Sequence, residues 1–244
     1  MIRKIAIIMA MREEAATLIE DYNLQKVDGV FDSCLPMEVY RNRAIDVQID
    51  LILNGKDPVH QVESIGTENA VISTMSVIQE LKPDLIINAG TAGGFACRGG
   101  KIGEVYTAKS GVYFHDRRIP LGDYEKMGLG AFPCIELTDV SSKFGLKQGV
   151  VTTGSSLDYS DHDKCNVDSY SGELKDMEAA AIAKICSYYQ QPLVIFKSIT
   201  DIVDGPHPTH KEFLSNLSQA SKNLSNALHK FINYCIGKNL SDLH

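Results

Sequence analysis

A chain of 244 residues with ordinary apolar content and a net charge of −7 can bury a sizeable core, as one large domain or two small ones. Its longest basic cluster on the way to any surface patch is Arg117-Arg118, which argues against nucleic acid as a partner, because a phosphate-binding surface needs clustered positive charge. The six cysteines are scattered without CxxC spacing, so no zinc site or disulfide framework is expected and the reducing cytosol is the expected compartment.

Arg3 and Lys4 precede Ile5-Ala6-Ile7-Ile8-Met9, the outline of a secretory signal. The run is short, Arg12-Glu13-Glu14 follows closely, and no small-residue cleavage site is present, so Lys4–Met9 reads as a buried first strand. A helix starts near Arg12, and acids in its first turn suit the helix dipole without any further role. Ile45–Leu53 reads as a second strand, and Thr67 to Leu81 as a helix with Val71, Met75 and Ile78 on one face. Leu85–Asn88, Gly103–Ala108 and Gly149–Thr153 read as further strands, with Ser110–Lys143 the least regular region. Asp176–Tyr189 is expected to be a helix, Pro192–Ile199 a strand and Pro208–Ile236 a long final helix. Strands that are continuously apolar imply a sheet covered by helices on both faces, hence an α/β fold. No segment is long enough to cross a membrane.

In such sheets ligands bind beyond the carboxyl ends of the strands. Glu14, the Gly90–Gly94 segment and Asp201 all fall there, and Glu178 at a helix start points the same way. Isolated buried acids are rare without a role or a partner. Glu178 lies on the stripe Ala181, Ile182, Ile185 and Tyr189, and Asp201 follows the apolar run Leu193–Phe196. Asp176 also reads as a plain partner of the helix dipole, and Asp201 as a cap for the turn Asp204–Pro208. The segment Ala89-Gly90-Thr91-Ala92-Gly93-Gly94 reads as a small-residue turn able to present backbone N–H donors, or simply as a tight turn. His115-Asp116-Arg117-Arg118 admits either a catalytic pair or a surface ion-pair cluster. The seven histidines show no metal-ligand spacing, so no metal is assigned.

The segments Ala10–Glu14, Ile86–Gly94, Phe114–Pro120, Ser155–Asp158, Lys175–Ala180 and Thr200–Gly205 form a specific set when taken together. With them the chain, from Ile5 to about Leu217, resembles the nucleoside phosphorylase and nucleosidase superfamily, and within it the plant-type 5′-methylthioadenosine nucleosidases. The resemblance implies one nucleosidase domain over residues 1–244, a three-layer α/β/α arrangement around a mixed, twisted sheet. It implies hydrolysis of the N-glycosidic bond of 5′-methylthioadenosine to adenine and methylthioribose, a step of methionine salvage, without a cofactor. Asp201 matches the acid that protonates adenine N7, and Glu14 the base that activates water. Glu178 matches the acceptor of the ribose hydroxyls, with Met177 beside the sugar. Thr91, Ala92 and Gly93 match the lining of ribose and base, the backbone of Leu157 and Asp158 the reader of the adenine edge, and Phe213 a wall of the alkylthio pocket. On this reading Asp201 carries a raised pKa and Glu178 stays ionised among hydroxyl donors. A cytoplasmic homodimer is implied as well.

Several positions depart from the bacterial pattern: Thr91 stands for serine, Leu157 for phenylalanine, Lys197 for arginine and Arg12 for an acid, while Ser155 departs from the plant aspartate. These leave the reaction class intact and bear on whether S-adenosylhomocysteine is also accepted. The rival reading is a phosphorylase, which needs fixed positive charge for phosphate. The related phosphorylases carry an arginine just before the glycine segment, where this chain has Asn88-Ala89, and Arg12 is the remaining candidate cation.

Overall fold

The apolar run after Arg3 forms the first strand, β1 (Lys4–Met9), and Ala10-Met11 leads into helix α1 (Arg12–Asp21). The computed structural model describes residues 1–42 and 46–243. It continues with β2 (Gln25–Val27), β3 (Glu38–Asn42), β4 (Gln48–Leu53) and helix α2 (Thr67–Ser76), which runs on as a π-helical turn to Leu81. Next come β5 (Leu85–Gly94), β6 (Val105–Ala108), β7 (Val112–Phe114), α3 (Asp123–Leu129), β8 (Gly130–Phe132) and α4 (Thr138–Phe144). The chain ends through β9 (Lys147–Gly149), β10 (Val151–Thr153), α5 (Asp161–Ser169), β11 (Leu174–Asp176), α6 (Ala179–Tyr189), β12 (Leu193–Ile202) and α7 (Thr209–Cys235).

The strands join one mixed sheet in the order β2-β3-β4-β1-β5-β11-β10-β7-β8, with a branch at β5 through β12 to β6 and β9. β1 lies parallel to β4 and β5, and β12 runs parallel to β5 along most of its length. The central strands are apolar at almost every position because successive side chains go to opposite faces, and both faces are covered. Ile5, Ile7, Leu85, Ile87, Val194 and Phe196 enter one core with residues of α1, α4 and α7. Ala6, Ile8, Ile86, Leu193 and Ile195 enter a second core with residues of α2 and α6. This is the three-layer arrangement anticipated from the sequence.

Some expectations need correction. The strand expected over Leu85–Asn88 does not stop at Asn88; it carries the glycine segment with it to Gly94. The helix expected over Asp176–Tyr189 begins at Ala179, because Leu174–Asp176 pairs with β10 and β5 as a strand. The strand expected over Pro192–Ile199 continues to Ile202, with a bulge between Ile199 and Asp201. β4 starts at Gln48, and Ile45, where its start was expected, lies outside the described residues. In α2 and its π-helical turn the apolar face of Val71, Met75 and Ile78 is not the most buried one. Ala70, Ser73 and Thr74 are buried, while Val71 is only partly covered and Met75 is exposed. Small residues face inward there because α2 packs closely against α6, which is itself rich in alanine.

Candidate active site

The carboxyl ends of β1, β5 and β12 meet at one cavity of about 550 Å³. Glu14 reaches it from the first turn of α1 and is buried. Its Oε2 accepts the Met11 N–H at 3.4 Å, so the acid reaches back to the residue preceding its own helix. Its Oε1 accepts both the Thr91 N–H at 2.7 Å and the Thr91 hydroxyl at 2.6 Å. The carboxylate is therefore fixed from two elements, and its dipole position is not its only bond.

The glycine segment was expected to be a turn offering donors to a ligand. It is strand, and the one donor pair described at Thr91 serves Glu14. Small residues are needed for a different reason: two carboxylates lie over this strand. A Cβ at Gly90 would stand 3.4 Å from both Glu14 oxygens, and one at Gly93 would stand 2.8 Å from Asp201 Oδ2 and 2.6 Å from Val203 Cγ2.

Asp201 is buried within β12, so it is not a cap for the turn that follows. Its Oδ1 accepts the Thr200 hydroxyl at 2.8 Å, while the buried Oδ2 has no hydrogen-bond partner among the described residues. Burial raises its pKa, opposed by the Thr200 hydroxyl and by Lys175. Glu178 stands at the head of α6 and accepts the Gly66 N–H at 2.9 Å. Burial, with Asp176 adding to it, pushes its pKa up to about 7 against the opposing pull of Lys197. Without a ligand both acids are therefore raised, Glu178 as well as Asp201.

Asp176, expected at a helix start, is a buried strand residue. Its Oδ2 accepts the Ala179 N–H at 2.9 Å, which serves the first turn of α6, and it pairs with Lys197 Nζ at 2.7 Å. The Thr153 hydroxyl donates to its Oδ1 at 2.5 Å. Lys197 is 1% exposed, and this pairing is what makes a lysine tolerable inside an apolar strand.

The cavity wall includes Thr91, Ala92, Gly93, Leu157, Met177, Glu178 and Phe213 alongside Glu14 and Asp201. Asp158 is exposed and is not part of that wall. Lys175, which the residue pattern does not single out, is a wall residue; its only signal is a lysine beside Asp176, just ahead of the expected helix. Lys56, Glu63 and Ile65 from the segment before α2 also reach the cavity. Within the cluster His115–Arg118, Asp116 and Arg117 form the ion pair, at 3.5 Å, while His115 stands apart from it and does not line the cavity. It is 1% exposed, its pKa is pushed down to about 4 chiefly by burial, and a Cβ at Gly154 would meet its ring at 2.3 Å. Its neighbours brace the surrounding loops: Asp116 accepts the Ser155 N–H at 2.8 Å, and Arg117 lies 4.6 Å over the Phe114 ring.

Arg12, the candidate phosphate cation, donates to Glu38 at 2.9 Å and to the Tyr40 hydroxyl, and does not line the cavity. Among the described residues the cations in its wall are Lys56 and Lys175. No group of His, Cys, Asp or Glu side chains among the described residues could hold a metal ion. What remains is a cavity with acids on several walls, one of them with a free oxygen, suited to donating and accepting protons around a neutral ligand with hydroxyl groups.

The phosphorylase superfamily profile matches residues 4–233. The chain is 38% identical over 243 residues to a 5′-methylthioadenosine nucleosidase of Arabidopsis thaliana, covering 99% of this chain and 91% of that protein. It is 39% identical to a 5′-methylthioadenosine/S-adenosylhomocysteine nucleosidase of the same plant, covering 99% and 95%. The solved structure of the A. thaliana 5′-methylthioadenosine nucleosidase in apo form superposes with a TM-score of 0.96 over 99% of each chain, at 38% identity.

Proposed function

The chain belongs to the phosphorylase superfamily and, within it, to the 5′-methylthioadenosine nucleosidases, and we propose that it hydrolyses 5′-methylthioadenosine with Asp201 as general acid and Glu14 as general base. The observation that carries the assignment is the buried Oδ2 of Asp201, unpartnered beside the cavity and on an acid whose pKa burial raises. A carboxyl group in that state can hold a proton and deliver it.

As the bond between C1′ and N9 breaks, its electron pair moves into adenine, and the proton of Asp201 goes to N7 so that adenine leaves neutral. The sugar is left with oxocarbenium character. Water adds at C1′ and gives up a proton to Glu14, completing methylthioribose; solvent exchange returns the proton to Asp201. The two roles need acid and base on opposite sides of the sugar, as in inverting glycoside hydrolysis. Glu14 is held for this by its two bonds from Thr91. Glu178 takes the ribose hydroxyls as donors, with Met177 beside the sugar, and those donors favour its charged form. Thr91, Ala92 and Gly93 line the ribose and base, the backbone of Leu157 reads the adenine edge, and Phe213 walls the alkylthio group.

Water rather than phosphate is the co-substrate in this reading. Its support is that Arg12 is engaged by Glu38 and Tyr40 outside the cavity. Residues 1–244 act as one nucleosidase unit, cytoplasmic and homodimeric. In favour of the dimer, Val62 and Ile65 are exposed apolar residues that also line the cavity, so a second copy over them would finish its wall. In favour of the compartment, all six cysteines are free thiols, which suits a reducing environment. The test is adenine release from methylthioadenosine, adenosine and S-adenosylhomocysteine with and without phosphate. Release that needs phosphate and yields a sugar 1-phosphate defeats the hydrolase reading.

A further inference from the structure

Lys175, Gly93 and Asp201 occupy one row of the sheet. Lys175 pairs with Gly93 in the antiparallel ladder of β11 and β5, and Asp201 pairs with Gly93 in the parallel ladder of β12 and β5. Paired residues on neighbouring strands share a face, and strands stand about 4.8 Å apart. A lysine and an acid on either side of a glycine therefore face each other across a position with no side chain. Both line the cavity.

The lysine is 6% exposed, and its Nζ donates to the carbonyl oxygens of Ser156 at 2.7 Å and Leu157 at 3.3 Å. These carbonyls belong to the segment assigned above to the adenine edge. Burial lowers the Lys175 pKa, while Asp163, Asp201, Asp176 and Asp158 oppose that fall. His115 faces Lys175 from the end of β7, and Glu212 faces Asp201 from α7. The sheet ladder and the hydrogen bonds tie the same side chain both to the base-reading segment and to the row of the acid.

We propose that Lys175 is a positioning residue: it anchors the backbone of Ser156 and Leu157 to β11 and holds a positive charge opposite Asp201 across Gly93. This rests on the reading of Asp201 as the general acid. With the loop and the acid referred to one side chain, the base edge and N7 are presented at a fixed distance from the proton donor. The charge also balances the effect of burial. Burial alone makes Asp201 a weaker acid, and a general acid works best when its pKa lies near the working pH. Once the proton has left, the new carboxylate meets a cation rather than an apolar wall.

Three variants test this, each checked for folding by thermal melting. Lys175→Gln keeps a donor for a carbonyl and removes the charge, so the alkaline limb of the kcat profile moves to higher pH by about one unit while KM changes little. Lys175→Met removes both functions, gives the same shift and weakens free adenine binding by about tenfold. Lys175→Arg restores the wild-type limb. An unmoved limb in the Gln variant, or unchanged adenine affinity in the Met variant, overturns the proposal; if the Met variant does not fold, the Gln and Arg profiles decide. Asp201→Asn measured alongside separates this from its parent reading. Wild-type turnover there removes the acid, whereas an inactive Asp201→Asn beside unaltered Lys175 variants removes only the lysine.

Discussion

Glu14 and Asp201 lie over the same strand: Glu14 bonds to Thr91 and packs on Gly90, and Asp201 leans over Gly93. They come from α1 and β12, far apart in sequence, and the spacing between Gly90 and Gly93 along β5 sets the distance across which the sugar is handled. At Gly93 the missing side chain leaves the space that Asp201 occupies, whereas at Gly90 a methyl group would only touch Glu14.

The two glycines should not respond alike to substitution. A methyl group at Gly90 meets Glu14 at ordinary van der Waals distance, whereas one at Gly93 forces either Asp201 or Val203 to move. Gly93→Ala should lower kcat by about 100-fold, the scale of a reacting group displaced by about 1 Å. Gly90→Ala should retain most of its activity. Steady-state kinetics on the two purified variants, with melting temperatures alongside, checks the order; equal losses would detach the acid from this contact.

Thr91→Val keeps the shape of the side chain and the Thr91 N–H but removes the hydroxyl that donates to Glu14 Oε1. One charge-assisted hydrogen bond is worth about 2 kcal/mol, so kcat should fall by about 30-fold. The melting temperature should stay close to wild type because Thr91 is at the cavity wall. Kinetics identical to wild type would mean that Glu14 does not depend on this tether.

Much of this arrangement could be read from the residues, and the failures have physical reasons. β1, β5 and β12 were evident because strands covered on both faces are apolar at successive positions. The glycine segment was misread because small residues carry no periodicity, and a strand cleared for two carboxylates looks like a turn. The expected helix starts at Asp176 because Met177-Glu178-Ala179-Ala180 reads as helix, although Asp176 is the last residue of β11 and is held by sheet pairing. β2, β7 and β8 have three residues each, too few to show alternation. Glu14, Glu178 and Asp201 were legible as acids in apolar or helix-start settings. Lys175 was not, because its meaning lies in the row it shares with Gly93 and Asp201, which only strand register reveals.

The buried pair Lys197–Asp176 supports the head of α6, where Glu178 stands. Lys197→Met leaves Asp176 as an uncompensated buried charge and should cost about 3–5 kcal/mol of stability, seen as a large fall in the urea midpoint. Lys197→Arg keeps the charge and should cost much less. A Met variant as stable as wild type would show that Asp176 finds another partner or takes up a proton.

The raised pKa of Glu178 and the lowered pKa of His115 give opposite pH dependences. Glu178 titrates at about 7 in the folded protein against an ordinary value of 4.5, so its contribution to stability is full below 4.5 and is lost as pH rises through about 7. His115 titrates at about 4 against an ordinary 6.5, so its contribution is present above 6.5 and is lost as pH falls toward 4. His115→Gln should flatten the acidic side of the stability profile. A nucleoside whose hydroxyls donate to Glu178 favours its charged form, so binding near pH 6.5 should release protons. Calorimetry in buffers of different ionisation enthalpy reads that release; buffer-independent heats would contradict it.

Asp201→Asn decides whether this cavity breaks the glycosidic bond by protonating the base. The substitution preserves the size of the side chain and removes the transferable proton. Single-turnover release of adenine from methylthioadenosine at neutral pH should fall by about 10²–10⁴-fold, the range expected for loss of a general acid. Affinity for the unreacted nucleoside, measured on the same sample, should be largely retained. Release at the wild-type rate with that affinity intact would contradict the assignment of Asp201 as the acid.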